Sequence, residues 1–157
     1  RTPVRDLGLR ARVYGVRYPE AALALLQESG IEYGGWLPNF RVPEVFARYR
    51  VTVHVPRRPY ATALPGIPTI RPFEAMACGI PLISAPWDDR EGLFTPGEDF
   101  AVARTGEDMT ARLADLLAHP ERASALANHG LETIRSRHTC RHRMDELMTI
   151  VQEKLRT

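Results

Sequence analysis

Between residues 9 and 103 the chain alternates short apolar segments of strand length with longer ones of helical period, and this alternation restricts its fold more than any other feature. Residues 9–16 (LRARVYGV) alternate and then break at Gly15, as a strand feeding a turn does. Residues 19–29 (PEAALALLQES) follow as a helix, with Pro19 at its start and Gly30 as its stop. Residues 31–37 form a second strand weakened by Gly34 and Gly35, 42–49 a short amphipathic helix, and 51–55 (VTVHV) a β-branched strand. Residues 56–70 hold four prolines and read as an irregular loop. A helix then starts with Pro72 at its first position and stops at Gly79, followed by strands at 81–85 and 100–103. From Glu107 onward the pattern is helical, over 107–118, 120–136 and 139–155. The last of these carries Met144, Leu147, Met148, Val151 and Leu155 at spacings of three and four, an apolar stripe expected to face the sheet.

Strands that alternate with crossover-length helices imply a parallel sheet covered on both faces. The expected fold is therefore a Rossmann-like three-layer α/β/α domain with a helical C-terminal tail. A single domain spans 1–157, with an α/β core over about 9–104 and helices over 105–157. In open sheets of this kind the ligand sits beyond the C-terminal strand ends. That directs attention to the loops after Gly15, Trp36, Val55 and Ser84.

The chain has 157 residues, enough for one core and too few for two full α/β domains. It begins RTPVRDLGLR with no initiator Met, which suggests a piece of a longer protein. No apolar run has the length of a membrane span, so no transmembrane segment is expected. The net charge is +2, with 19 acidic residues interspersed among the basic ones, so no nucleic-acid stripe emerges. Cys78 and Cys140 read as free, mostly buried thiols in a reducing, cytoplasmic compartment.

The stretch 66–87 (GIPTIRPFEAMACGIPLISAPW) brings a proline- and glycine-bearing loop and a helix start to the binding edge of the sheet. A helix N-terminus has unpaired amides and a partial positive charge, which suit phosphate. Thr69, Ile70 and Arg71 would present backbone donors, and the Arg71 guanidinium adds a fork for pyrophosphate. Glu74, one turn in, is placed to accept from ribose hydroxyls.

The string FEAMACGIPLIS resembles the "EAmAcGxPvI" signature of retaining GT-B glycosyltransferases. The segments GWLPNFRVPEVFARYRVTVHV, PGEDFAVA and HTCRHRMDELM are similar to the group related to bacterial spore-coat maturation proteins. The resemblance implies the C-terminal, donor-binding half of a GT-B enzyme, partnered by an N-terminal acceptor domain in the full-length protein. It implies a nucleoside-diphosphate sugar as substrate, no metal or other cofactor, and no protein nucleophile, the donor phosphate taking the acceptor proton. On this resemblance Glu74 binds ribose and Thr69, Ile70 and Arg71 the diphosphate. Gly15 and Arg17 approach phosphate or sugar, and the Trp36–Pro38 loop, through Leu37, meets the base. Gly66, also in the donor loop, departs from the pattern: many retaining members carry a second glutamate there, facing the donor sugar. Asp88, Asp89 and Glu91 are the carboxylates left to reach a sugar hydroxyl.

Other residues carry bland readings beside functional ones. Phe73 and Met76 belong to the core, and Trp36 is read as core before base platform. Arg57 and Arg58 read as surface charge. His54 is either a ligand contact or a satisfied structural histidine. His138, Cys140 and His142 lack a fourth metal ligand. At the level of function the alternatives are a degenerate, non-catalytic GT-like scaffold and a GT-B-fold nucleotide-sugar epimerase.

Overall fold

A computed structural model of the chain describes residues 2–156 apart from 57, 65 and 67, and for 58–60 the backbone alone. Among these residues every strand pair is parallel. β1 (Ala11–Val13) pairs with β2 (Ile31–Tyr33), and β3 (Thr52–His54) pairs with β4 (Leu82–Ser84), which pairs in turn with β5 (Ala101–Val102). The expected single sheet is thus two hydrogen-bonded sets, β1-β2 and β3-β4-β5. Helices α1 (Pro3–Asp6), α2 (Glu20–Glu28), α3 (Val42–Phe46), α4 (Arg58–Ala63) and α5 (Ile70–Ala77) fall between or before these strands. The C-terminal third holds α6 (Gly106–Ala118), α7 (Pro120–Arg137) and α8 (Cys140–Leu155).

The layering follows from β4. Its residues Leu82, Ile83 and Ser84 are all buried, as an unbroken apolar run in a parallel sheet should be. Successive side chains point to opposite faces, so Leu82 and Ile83 enter different cores. Leu82 joins Ala75, Met76, Ile80, Phe94, Phe100 and Ile134, while Ile83 joins Ala103, Leu113, Leu116, Ala123 and Leu126. Helix α7 contributes to both. Its Gly130 permits the closest approach, because a Cβ there would lie 2.7 Å from the Asp99 carbonyl oxygen and 2.9 Å from Met76 Cγ.

Four expectations need correction. The stretch 56–70 is not wholly irregular, because α4 forms inside it; a proline in the first turn costs no helical hydrogen bond and Ala61 and Ala63 follow. Pro72 is the third residue of α5, not the first; Thr69 caps the helix, and the early amides have no intrahelical acceptor to lose. The α8 stripe does not face the sheet: Met144, Leu147, Met148, Val151 and Leu155 are 40–82% exposed. Helix α7 already fills the core face, burying Ala123, Leu126, Ala127, Gly130 and Ile134. Cys140, at the start of α8, is exposed rather than buried, whereas Cys78 is half-buried; both are free.

Candidate functional site

The C-terminal ends of β3 and β4 meet the N-terminus of α5. His54 ends β3 in a buried position, and Ser84 ends β4 directly beside it in register. The loop from β3 returns to Thr69, whose extended backbone and side-chain oxygen cap α5 by accepting from the Arg71 amide at 3.4 Å. Pro72 has no N–H and the Arg71 amide is engaged by Thr69, so the helix start presents the Ile70 amide. Ile70 is 60% exposed at the mouth of this turn. Pro72, Ala75 and Met76 on the opposite face are buried and hold the helix in place. Phe73 packs half-buried against the same core.

Arg71 and Glu74 lie one turn apart on α5 and form an ion pair, with the arginine side chain 57% and the glutamate 20% exposed. The Glu74 carboxylate is thus already oriented at the edge of the site. Burial, and secondarily the Glu74 charge, push the Cys78 thiol up from its ordinary value, which keeps it protonated and unreactive.

The other sequence-derived candidates surround this point unevenly. Gly15 follows β1; its amide donates to the Gly35 carbonyl at 2.8 Å and its own carbonyl accepts from the Tyr33 hydroxyl at 2.8 Å. The Tyr18 ring covers it so closely that a Cβ would fall 2.7 Å from Tyr18 Cε2. Arg17 is exposed and left-handed, at φ 62°, a strained conformation for a side chain of this kind. Leu37 is half-buried, while Trp36 is 72% and Phe40 84% exposed, which overturns the core reading of Trp36. Gly66 lies under the turn after β4: a Cβ there would stand 3.1 Å from both the Asp88 carbonyl oxygen and Arg90 Cδ. Arg90 in turn donates to Asp88 at 2.8 Å. Asp89 accepts from the Phe94 amide through Oδ2, and its buried Oδ1 and the buried Trp87 indole N–H have no protein partner. Arg57 and the side chain of Arg58 lie outside the described residues.

Sequence reasoning missed the hydrogen-bond chain that ties the site together. His54 Nε2 lies 2.9 Å from Thr69 Oγ1 and Nδ1 lies 2.9 Å from Ser84 Oγ. Both ring nitrogens are therefore satisfied by protein, which favours the structural reading of His54 over a ligand contact. A histidine at a strand end three residues into VTVH was the only signal available. His138 and His142 also have protein partners, the Leu93 carbonyl and Thr139. Among the described residues no three His, Cys, Asp or Glu side chains gather to hold a metal ion, and no helix is long and apolar enough to cross a membrane.

Parallel strands between helices, with a capped helix start at their C-terminal ends, define a Rossmann-like α/β domain. The chain belongs to the glycosyl transferase-like family, whose model matches residues 2–149. Its fold is that of the C-terminal domain of GT-B enzymes. It superimposes on sucrose-phosphate synthase from Thermosynechococcus elongatus with a TM-score of 0.74 at 16% identity, covering 92% of this chain and 38% of the synthase. HepE of Anabaena, solved in complex with UDP, gives 0.75 at 12% identity, covering 92% of this chain and 41% of HepE. The isolated C-terminal domain of a group 1 glycosyl transferase from Francisella tularensis gives 0.59 at 11% identity, with 88% and 92% covered. The chain thus spans less than half of the solved synthase and HepE chains. Among proteins of curated function, none matches it in sequence.

Proposed function

We propose that this domain binds the nucleoside-diphosphate sugar donor of a glycosyltransferase, with the diphosphate at the N-terminus of α5 and the ribose at Glu74. The observation that carries the reading is the placement of a Thr69-capped helix start, with Arg71 and Glu74 beside it, at the ends of β3 and β4. The Ile70 amide, the helix dipole and a guanidinium converge there on the charge a departing diphosphate develops. The proposal therefore includes no metal. Arg71 exchanges its partner Glu74 for phosphate when the donor arrives, which frees the carboxylate for ribose hydroxyls. Gly15, Arg17 and Leu37 frame the rest of the donor, Arg17 through its exposed guanidinium, and transfer with retention uses the donor phosphate as base. The acceptor is held by an N-terminal domain of the same protein, in keeping with the 38% and 41% of the solved enzymes that this chain spans. Two free thiols accord with a reducing, cytoplasmic setting.

The test is a thermal-shift panel of UDP, GDP, ADP, TDP and their sugar conjugates, repeated with Glu74→Ala. A selective rise with one diphosphate, weakened in the variant by about 1–3 kcal/mol, is expected. Equal affinity in the variant removes Glu74 from the ribose site.

A second reading, a glycosyltransferase-like module without catalysis, draws on the space at Gly66. The Asp88 carbonyl and Arg90 crowd it at 3.1 Å, so a sugar-facing carboxylate at that position would need the turn after β4 to shift. Turnover by the full-length protein excludes this reading.

A further inference from the structure

The buried chain of hydrogen bonds beneath α5 has a single consistent direction. The Ser84 hydroxyl donates to the Ala85 carbonyl at 2.8 Å, so Ser84 Oγ receives its bond from His54 as an acceptor. His54 must then carry its proton on Nδ1, which leaves Nε2 as a bare acceptor for the Thr69 hydroxyl. With its proton committed to His54, Thr69 Oγ1 has lone pairs for the Arg71 amide alone. The Ala85 amide donates to the His54 carbonyl at 3.0 Å, closing the β3–β4 end of the chain. The other neutral tautomer would leave bare Nδ1 facing the Ser84 oxygen, two acceptors with no proton between them, at a ring that is only 8% exposed.

We propose that His54 is the positioning residue of the α5 anion site: as the Nδ1–H tautomer it fixes the Thr69 hydroxyl, and through it the cap and the first-turn amides, in the orientation that receives a diphosphate. The physical need is plain. Thr69 ends a long connection from β3, and its only side-chain tether to the sheet among the described residues is the bond to His54. A helix start that is free to tilt offers its amides over a range of directions, and preorganisation of those donors is what gives such a site its affinity. His54 touches no ligand in this scheme; it acts through Thr69. The inference rests on the donor-site reading above for its ligand, but its hydrogen-bond content is independent of any ligand.

The experiment combines two readouts on the same chain. Ring nitrogen NMR of uniformly 15N-labelled protein at neutral pH reports the His54 tautomer, and calorimetric titration with inorganic pyrophosphate reports the site without reference to a base. His54→Asn keeps a donor toward Ser84 but falls short of Thr69, whereas His54→Gln extends far enough to offer Thr69 an acceptor. The expected result is an unprotonated Nε2 in the parent, pyrophosphate binding about tenfold weaker in His54→Asn, the scale of one lost hydrogen bond, and partial recovery in His54→Gln. A purely structural role would lower the unfolding midpoint of both variants and leave the affinity of the folded protein unchanged; that outcome overturns the proposal. So does a proton on Nε2 in the parent, whether or not either variant folds. If the parent binds no pyrophosphate, the donor-site reading falls instead, and the positioning role is then decided by hydrogen exchange. Faster exchange of the Arg71 amide in His54→Asn than in the parent upholds it, and equal exchange rejects it.

Discussion

The two strand sets of this domain are built to different standards. Around β3, β4 and β5 the chain buries two apolar cores, and Ile83 and Ser84 are wholly inaccessible. Around β1 and β2 no residue of α1, β1, α2, β2 or α3 is buried. That half packs on the second core only through partly buried Leu7 and Leu9, and adds surface contacts: the Arg12–Glu32 ion pair, the Tyr33 hydroxyl on Gly15, and Tyr18 against Tyr33 at 5.4 Å between ring centroids. Arg12 holds the Glu32 carboxyl below its usual range, mainly by direct hydrogen bonding, but both groups face water and such pairs add little stability. The difference teaches where a ligand finds a rigid surface. Helix α5, to which we assign the diphosphate, stands on the packed half, through Pro72, Ala75 and Met76, whereas Arg17 and Leu37 stand on the lightly packed one. Local opening free energies follow burial, so the first set is preorganised and the second adapts.

The largest effect expected from this contrast comes from truncating matched aliphatics. Ile83→Ala, at a site with no solvent exposure, should cost about 2–5 kcal/mol, the range for buried large-to-small changes. Leu25→Ala on α2, where the side chain is 61% exposed, should stay within about 0.5 kcal/mol. Denaturant titration of both measures the gap directly. Comparable losses at the two positions would show that the β1-β2 half is packed far better than its exposure indicates.

A polar counterpart lies at Asp99, which is 1% exposed. Its carboxylate accepts from the Thr95 amide at 2.6 Å, the Thr133 hydroxyl at 2.6 Å and His129 Nδ1 at 2.8 Å, joining the β5 approach to α7. Asp99→Ala strands the first two donors in a closed space and should cost about 3 kcal/mol, at the upper end for hydrogen bonds to a charged group. A loss below about 1 kcal/mol, read in the same titration, would mean that water replaces the carboxylate and that this junction is more open than it looks.

The packed half was also the more legible one. The β4 run, the α5 helix before it and the helices after Glu107 were readable because continuous apolar strands and 3.6-residue periods report burial directly. The same rule misled at α8, where the stripe from Met144 to Leu155 has the period of a buried face and no cover. Periodicity shows that a face is apolar and says nothing of what meets it. The lightly packed half was read too generously: the strands expected over 9–16 and 31–37 are each three residues long, although the amides of Gly34 and Gly15 still donate across to Val13 and Gly35 just beyond them. At the site, motif spacing brought Thr69, Ile70, Arg71 and Glu74 together on one helix start. The bond between His54 and Thr69, fifteen residues apart across a loop, follows from the fold and from no local pattern.

A smaller effect probes the adaptable half. Arg17 occupies the left-handed region at φ 62°, which costs a residue with a Cβ about 1–2 kcal/mol. Arg17→Gly removes that strain and gives back part of it through the greater freedom of the unfolded chain, so a net gain of about 0.5 kcal/mol is expected. If the Arg17 guanidinium meets the donor, as we propose, the same variant binds the diphosphate less tightly while being more stable. Opposite signs in the two measurements would support that role. A variant that is more stable and binds equally well would reduce Arg17 to a turn residue.

The smallest effect is a pH dependence that belongs to the packed half alone. Burial, and to a lesser degree the nearby Arg71 charge, hold His54 below its ordinary value of about 6.5. The folded protein therefore binds fewer protons at this position than the unfolded chain does, and stability rises with pH across that interval. The contribution is fully present above about pH 6.5, where His54 is neutral in both states. It is lost as the pH falls from there toward the lower folded-state value, because the unfolded chain gains a proton that the native network refuses. Subtracting the stability profile of His54→Asn from that of the parent cancels every group the substitution leaves undisturbed. The difference should be level near neutrality and shrink on acidification below about pH 6.5. A difference that is flat throughout would mean that the ring accepts its second proton without disturbing Ser84 or Thr69, and the contrast between a rigid and an adaptable half would then stop short of the site itself.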